Sequence, residues 1–542
     1  TRYYGTISAR GGTQGGDGGF AEVSGKEYLA FDGKVDVSAP LGAQGSLLLD
    51  PTNIVIQAGA GSGDGLLGDS QVLFAEGGAN ETVSATALQA LTGNITLQAE
   101  QNITLNNGVN LALANQTAGE RVVFQAGANI TLGGVVTTGG ASVLMSAGDA
   151  GAGAPSATAA VNISSTGGIV SGGGDITLQS SGSGGISLAG NLTAGTGTVR
   201  LVTTNGGITQ TTGAITGNAL GVRSSGNVAF RTETNVAHND VAVFAAQVTG
   251  AGSTLSYTNI QEPGDVNIGT VAADALPGSL FAGAVSGVST NNADLTVTSR
   301  GQMTVLAGAN VSAGTGTATL RTLDNTAGIA DLTINANVSG AKVVIDSADG
   351  IAQDAASSIT ATQLLAQAAA GSADDNVILT GSNNVGTFAA GKSGSAAGSG
   401  GIGVLEFNNG ANSLTVGTVD AVSGITAIPT APAIGRVTLT AGSLDITQAI
   451  STGSGAGIVT LQPNTGTNVS LGGAAAFDLT QTELDLVTTG TLRIGGTAGA
   501  GSLSVGSAIT NGPNWSTLIL RAGSGGISQT QPLTVTNLGV AT

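Results

Sequence analysis

Cysteine is absent from this sequence, which excludes a disulfide framework and thiolate metal sites. A large secreted repeat protein tolerates that absence, because stacked backbone ladders supply its stability. Aromatic residues make up only 3% of the chain and charged residues only 9%, against about 25% charged in an ordinary globule. Basic residues are outnumbered, 15 Lys and Arg against 33 Asp and Glu, for a net charge of −18. Nucleic acid and anionic membrane surfaces both call for basic patches, so neither is expected as a partner. No apolar run approaches the roughly 18–20 residues of a spanning helix, so no membrane insertion is expected. The sequence opens at Thr1 with neither Met nor a basic and apolar leader, so any signal peptide is expected to have been removed or to lie upstream.

What is present is glycine, 91 residues of it, and an apolar fraction of 41%. Low charge density with regularly recurring Ile, Leu and Val argues against disorder. A chain of 542 residues would ordinarily form roughly three or four domains, but internal repetition overrides that expectation. Val199-Arg200-Leu201 leads to Gly207-Ile208-Thr209-Gln210, then to Ile215 and Leu220. Val343-Val344-Ile345 leads to Gly350-Ile351-Ala352-Gln353, then Ile359 and Leu364; Leu518-Ile519-Leu520 leads to Gly526-Ile527-Ser528-Gln529, then Leu533 and Leu538. Ile208, Ile215 and Leu220 are expected to face a core, as are Ile351, Ile359 and Leu364. Gln210, Gln353 and Gln529 read as stacking or corner hydrogen-bonding residues.

Taken in order, residues 1–56 carry short apolar words between Gly and Pro breaks. Gly18-Gly19-Phe20-Ala21-Glu22-Val23-Ser24-Gly25, Phe31-Asp32-Gly33-Lys34-Val35-Asp36 and Leu47-Leu48-Leu49-Asp50-Pro51 stand out. This segment resembles one found in large bacterial exoproteins of the filamentous haemagglutinin and high-molecular-weight adhesin type, which leave the cell by two-partner secretion. In that family it follows a secretion domain recognised by a dedicated outer-membrane transporter. The Asn-Pro-rich signature of that domain is missing, so residues 1–56 are read as the start of a passenger region downstream of it. Residues 57–175 read as further coils, with Ser146 to Ala160 a protruding loop. Three larger copies follow over 176–294, 295–436 and 437–542, opened by Ile176-Thr177-Leu178, Leu295-Thr296-Val297 and Val437-Thr438-Leu439. Asn239 to Ala246 matches Asn384 to Ala390, and Val266 to Val271 matches Leu414 to Val419. The third copy adds Leu484-Asp485-Leu486 and Leu492-Arg493-Ile494 as strand words, and Gly391 to Gly403 reads as a second loop.

Sandwich hairpins call for two-residue turns between strands of about 5–6 residues. Here the words are shorter and the corners longer, so an all-β parallel β-helix is expected, a β-solenoid with short strands, protruding loops and coils of roughly 20–22 residues. The resemblance implies a right-handed helix.

Enzymes occur on β-helices, but paired carboxylates are wanting. The only adjacent acidic pair, Asp374-Asp375, lies in a loop-like AGSADDNV. The sole histidine, His238, precedes Asn239 where the polygalacturonase word has Gly, and reads as a surface corner. No catalytic or cofactor-binding residue is assigned, and no enzyme is expected. Gly61-Ser62-Gly63-Asp64-Gly65 faintly matches a calcium nonapeptide, making Asp64 and Asp69 weak calcium candidates; such sites need tandem copies, so a solvated turn is the preferred reading. Asn-x-Ser/Thr words recur at Asn80, Asn94, Asn102, Asn115, Asn129, Asn162, Asn191, Asn310, Asn337, Asn468 and Asn514. Asn suits tight corners, and that reading is preferred over glycosylation, which the adhesin resemblance implies.

The functional expectation is a non-enzymatic exoprotein, secreted to the surface of a Gram-negative-type bacterium, serving as an adhesin stalk or fibre. Its partners would be a receptor on a host or neighbouring surface and, during export, the outer-membrane transporter. The alternative is a filament or matrix subunit whose partners are copies of itself, stacked through open β-helix ends. A polysaccharide-degrading enzyme is the third reading.

Overall fold

A computed structural model describes residues 2–542 except 4, 24–29, 32–33, 44, 50–51, 62–63, 65–79, 153–154, 231–238, 261–263, 324–331, 369–375, 394–400, 430–432, 454 and 497–500. The chain divides into two compact units, Thr1–Gln261 with Thr270–Ser286, and Glu262–Gly269 with Gly287–Thr542. Each is a parallel β-helix.

In the first unit, one inward row runs Ile95, Val122, Val143, Ile176, Val199, Leu220 and Phe244, each residue paired with the one a coil later. A second row runs Ile54, Ile103, Ile130, Val161, Ile186, Ile208 and Val228. A third runs Leu111, Val136, Ile169, Leu192 and Ile215. All of these are buried, because alternate residues of a strand face one side and parallel pairing in register stacks like on like. Burying each Ile, Leu or Val is worth about 1.5–3 kcal/mol. The first row advances by 27, 21, 33, 23, 21 and 24 residues per coil. These steps are longer than the 20–22 expected where loops are let out: the 33-residue step holds the turn after Ser142–Ala147 that was read as a loop. In the second unit, Leu295, Ala318, Val343, Leu364 and Phe388 form the matching row.

Corner residues bind coil to coil. The Asn94 carboxamide oxygen accepts from Arg121 N at 3.0 Å, Asn191 from Ala214 N at 2.9 Å, Asn337 from Ser358 N at 2.9 Å and Asn468 from Ser502 N at 2.9 Å. Asp175 and Asp294 do the same for Thr198 N and Thr317 N. These corners supply acceptors for backbone N–H groups that the strand ladders leave over.

The repeated stretches behave as building units. Ile208, Ile215, Leu220, Ile351, Ile359 and Leu364 are all at most 1% exposed. Gln210 exchanges two side-chain amide bonds with buried Asn239, at 2.8 and 2.9 Å, and Asn239 also accepts from Ile215 N. Gln353 makes the same pair with Asn383, at 2.8 and 3.2 Å, and Asn383 accepts from Ile359 N at 2.7 Å. The structural equivalent of Asn239 is therefore Asn383 and not Asn384; the doubled Asn383-Asn384 hides a one-residue offset in the sequence match. In the third copy Gln529 is exposed and donates to Gln531 O. Leu538 there is 50% exposed, on the strand Asn537–Ala541, which pairs in parallel with Thr517–Arg521.

Two expectations need correcting. Leu484-Asp485-Leu486 is not a strand word: Gln481–Leu484 is a short helix with a capping box. Thr480 Oγ1 accepts from Glu483 N, and the Glu483 carboxylate accepts from Thr480 N at 2.8 Å, so local capping overrides the alternating leucines. A second helix, Ala85–Gln89, N-capped by Ser84, interrupts the coils expected over 57–175 and packs against the strand Leu111–Thr117. Near the N-terminus, Phe20–Val23 pairs in parallel with Ser46–Leu49 and Thr6–Ser8 with Lys34–Asp36. Phe20 is exposed there and its neighbour Ala21 is buried.

Replacing Asn383 by Ala leaves the Gln353 amide nitrogen and the Ile359 N–H buried without partners, while the Gln353 oxygen still accepts from Gly381 N. The expected loss is about 1–3 kcal/mol, read as a lower urea midpoint for the second unit. Gln529→Ala removes the repeat's equivalent glutamine from an exposed position, and the same measurement should stay within about 0.5 kcal/mol of the parent.

Candidate functional site

The outward face of the first unit departs from a plain solenoid. Its strands place Val123, Leu144, Thr177, Arg200, Gly221 and Ala245 in one outward row. Val123, Leu144, Thr177, Arg200 and Ala245 are nonetheless buried, and an arm formed by Thr270–Ser286 lies across the last four of these. The base of the arm is antiparallel, Thr270 opposite Ser286 and Val271 opposite Val285, with the two hydroxyls 2.7 Å apart.

Phe281 anchors the arm, wholly buried among Val202, Ala219, Ala245, Val271 and Val285. Its ring lies between two guanidinium groups, 5.8 Å from Arg200 and 5.4 Å from Arg223. Arg200 donates to Asp175 at 2.6 Å and to Ala272 O at 3.1 Å, with Asp274 at 3.8 Å. Arg223 donates to Gly283 O and Ala284 O. Thr177 donates to Asp274, and the buried Gln179 amide donates to Gly278 O and accepts from Leu280 N. Gly221 makes room: a Cβ there would lie 2.7 Å from the Phe281 ring and 2.8 Å from Val271.

Between the arm's tip and the turn after Ala147 lies a groove of 490 Å³. Gln125, Ser146 and Gln179 form its floor, Asp149 and Ser156 stand on one side, and Leu280, 43% exposed, on the other. Gln98 donates to Gln125 and Gln125 to Asp149, while Gln179 donates to Ser146. Amides, hydroxyls and one carboxylate suit recognition of a neutral polar ligand.

The second unit carries a shorter version of the arm. Thr418-Val419 pairs antiparallel with Val422-Ser423, its hydroxyls 2.9 Å apart, and Val419 packs on Leu365 and Ala389. Its turn residue Asp420 has φ 52° and receives Lys342 Nζ at 2.8 Å. The sequence match of Val266–Val271 with Leu414–Val419 covers only the outgoing strand. The return words, Ala284-Val285-Ser286-Gly287 and Ala421-Val422-Ser423-Gly424, repeat as well and were the missed signal.

The residues singled out from sequence are scattered. His238, Asp374, Asp375 and Asp69 lie outside the described residues. Asp64 takes N–H bonds from Gly61 at 2.8 Å and Ser84 at 2.7 Å. Partial burial alone would raise its pKa, but these donors outweigh it and hold the carboxyl below its ordinary 3.8. Among the described residues no three His, Asp or Glu side chains gather as a metal-holding group. Of the Asn-x-Ser/Thr positions, Asn102, Asn115, Asn129 and Asn514 use the amide nitrogen as a hydrogen-bond donor. A glycan on that nitrogen would break those bonds. Asn94, Asn191, Asn310, Asn337 and Asn468 are exposed corners whose oxygen is the bonded atom. Asn162 is half-buried on a strand, and the side chain of Asn80 lies outside the described part.

Gly221→Ala should loosen the arm while the coils beneath stay intact. Overpacking of about 1–3 kcal/mol corresponds to chymotryptic cleavage near Leu276, Leu280 and Phe281 that is roughly fivefold to a hundredfold faster, read by mass spectrometry. Because Asp64 titrates below 3.8 in the folded chain, its support of the Ser84 helix cap is complete above 3.8 and is lost as pH falls through the lowered value. Amide exchange over Ala85–Gln89 should be steady from pH 6 to about 4.5 after correction for intrinsic rates, and rise below 3.8. Asp64→Asn should abolish that acid dependence.

No protein-family model matches the chain, and no curated protein or solved structure matches it. The functional reading therefore rests on the coil stack, the two arms and the groove.

Proposed function

We propose that the chain is a non-enzymatic, secreted exoprotein of the adhesin type, exposed at a bacterial surface. The coil stack acts as a stiff spacer and the arm-flanked groove of the first unit meets the receptor. The observation that carries this reading is the groove itself. A load-bearing coil stack needs no long arm, yet residues 272–284 are let out where the second unit turns in two residues. Loops on a rigid scaffold are where recognition concentrates. The inter-coil ladders and Asx corners supply the stiffness, since each coil is bonded to its neighbours along its length.

Two measurements test it. Immunogold labelling of intact producing cells should place the chain outside; label confined to the cytoplasm sinks the proposal. Beads coated with the full chain should be retained on arrayed surface glycans and matrix proteins. Replacing residues 272–284 by Asp-Ala, the short arm's turn, should abolish retention without altering the β-sheet circular dichroism. Retention that survives the replacement removes the groove from the mechanism.

A further inference from the structure

The second unit holds an unpaired cation in a small cavity. On its outward face Thr440, Gln462 and Arg521 come from the strands Arg436–Ala441, Ile458–Pro463 and Thr517–Arg521. Thr440 lies opposite Gln462, and Ile494 opposite Leu520, so the next position between Gln462 and Arg521 is Gly495. Gly495 has φ 90°, and a Cβ there would lie 2.0 Å from Arg521 O. With no side chain at that place, a gap opens in the row. Thr465, Thr467 and Ser502 close the gap into a cavity of 160 Å³.

The Nε atoms of Arg223, Arg493 and Arg521 are all buried without a hydrogen-bond partner, and of the three only Arg521 lines this cavity. Among the described residues its guanidinium makes no ion pair, in a chain with 33 acidic residues against 15 basic ones. Arg200, by contrast, has both Asp175 and backbone carbonyls. Gln462 donates to Thr440 Oγ1 at 2.9 Å, which fixes its amide beside the cavity. An unsatisfied buried donor in a native fold calls for an explanation, and where it lines a cavity a bound ion supplies one. Guanidinium matches planar and tetrahedral oxyanions through two parallel N–H bonds, and threonine hydroxyls turn to donate.

We propose that this cavity binds one small oxyanion, a carboxylate or a sulfate, with Arg521 as the charged anchor and Thr465 and Thr467 as hydroxyl donors. The surrounding negative charge repels anions at a distance, so binding depends on this one preorganised contact and not on a basic surface. The size admits a free anion or the acidic group of a single sugar residue.

Equilibrium dialysis of labelled sulfate against the full chain at low ionic strength tests this. One saturable equivalent is expected, displaced by excess unlabelled sulfate and not by glucose. Arg521→Gln should weaken it at least tenfold, and Arg521→Lys, which keeps the charge but loses the fork, should weaken it less. Arg493→Gln, on the neighbouring strand and outside the cavity lining, serves as the control for general charge loss. Competition by glucuronate would point to acidic saccharide as the source of the anion; resistance to it would point to free inorganic anion. Absence of saturable binding, or equal loss in the Arg493 and Arg521 variants with native circular dichroism, overturns the proposal.

Discussion

Parallel pairing in register is the constraint from which the rest follows. A residue such as Val199 is held inward only because Ile176 and Leu220 stand directly on either side of it in the ladder. Moving one coil by one residue would turn every inward side chain of that strand outward. Corners resist such slippage. Asp175 and Asn191 sit at successive bends of one coil and accept N–H groups of the next, so a shift would break side-chain bonds as well as ladder bonds.

Buried amide pairs sharpen the same constraint. Gln210 with Asn239, and Gln353 with Asn383, satisfy each other inside the stack and also hold the N–H that opens the next strand. Polar groups placed this way cost little when paired and much when not, so they favour one alignment of coils over its neighbours. At Gln529 the same residue type is exposed and bonds locally. The repeat thus shows one sequence word with two roles.

The period-2 words and Gly corners made the coil stack readable, down to Ile208, Ile215 and Leu220 as core residues, because inward rows leave a direct trace in sequence. Other features left a trace that alternation masked. The Thr480–Glu483 capping box was present in the letters, but Leu484 and Leu486 suggested a strand. Arms were harder, since Phe281 meets Arg200 some eighty residues away and outward positions follow no period of their own. The unpaired Arg521 could not have been found from sequence: its isolation depends on Gly495 lying beside it in three dimensions.

The two arms also say something about how such a chain can change. Both leave the coil stack at matching strands and return through the same Ala-Val-Ser-Gly word, yet one spans two turn residues and the other thirteen. Length at that exit is free to vary because the apolar base, Val271 and Val285 or Val419 and Val422, is docked regardless of what lies between. Loop closure grows only slowly more costly with length. The exit therefore works as a cassette position, where new surface can be inserted, lengthened or exchanged while the core rows beneath keep their sequence.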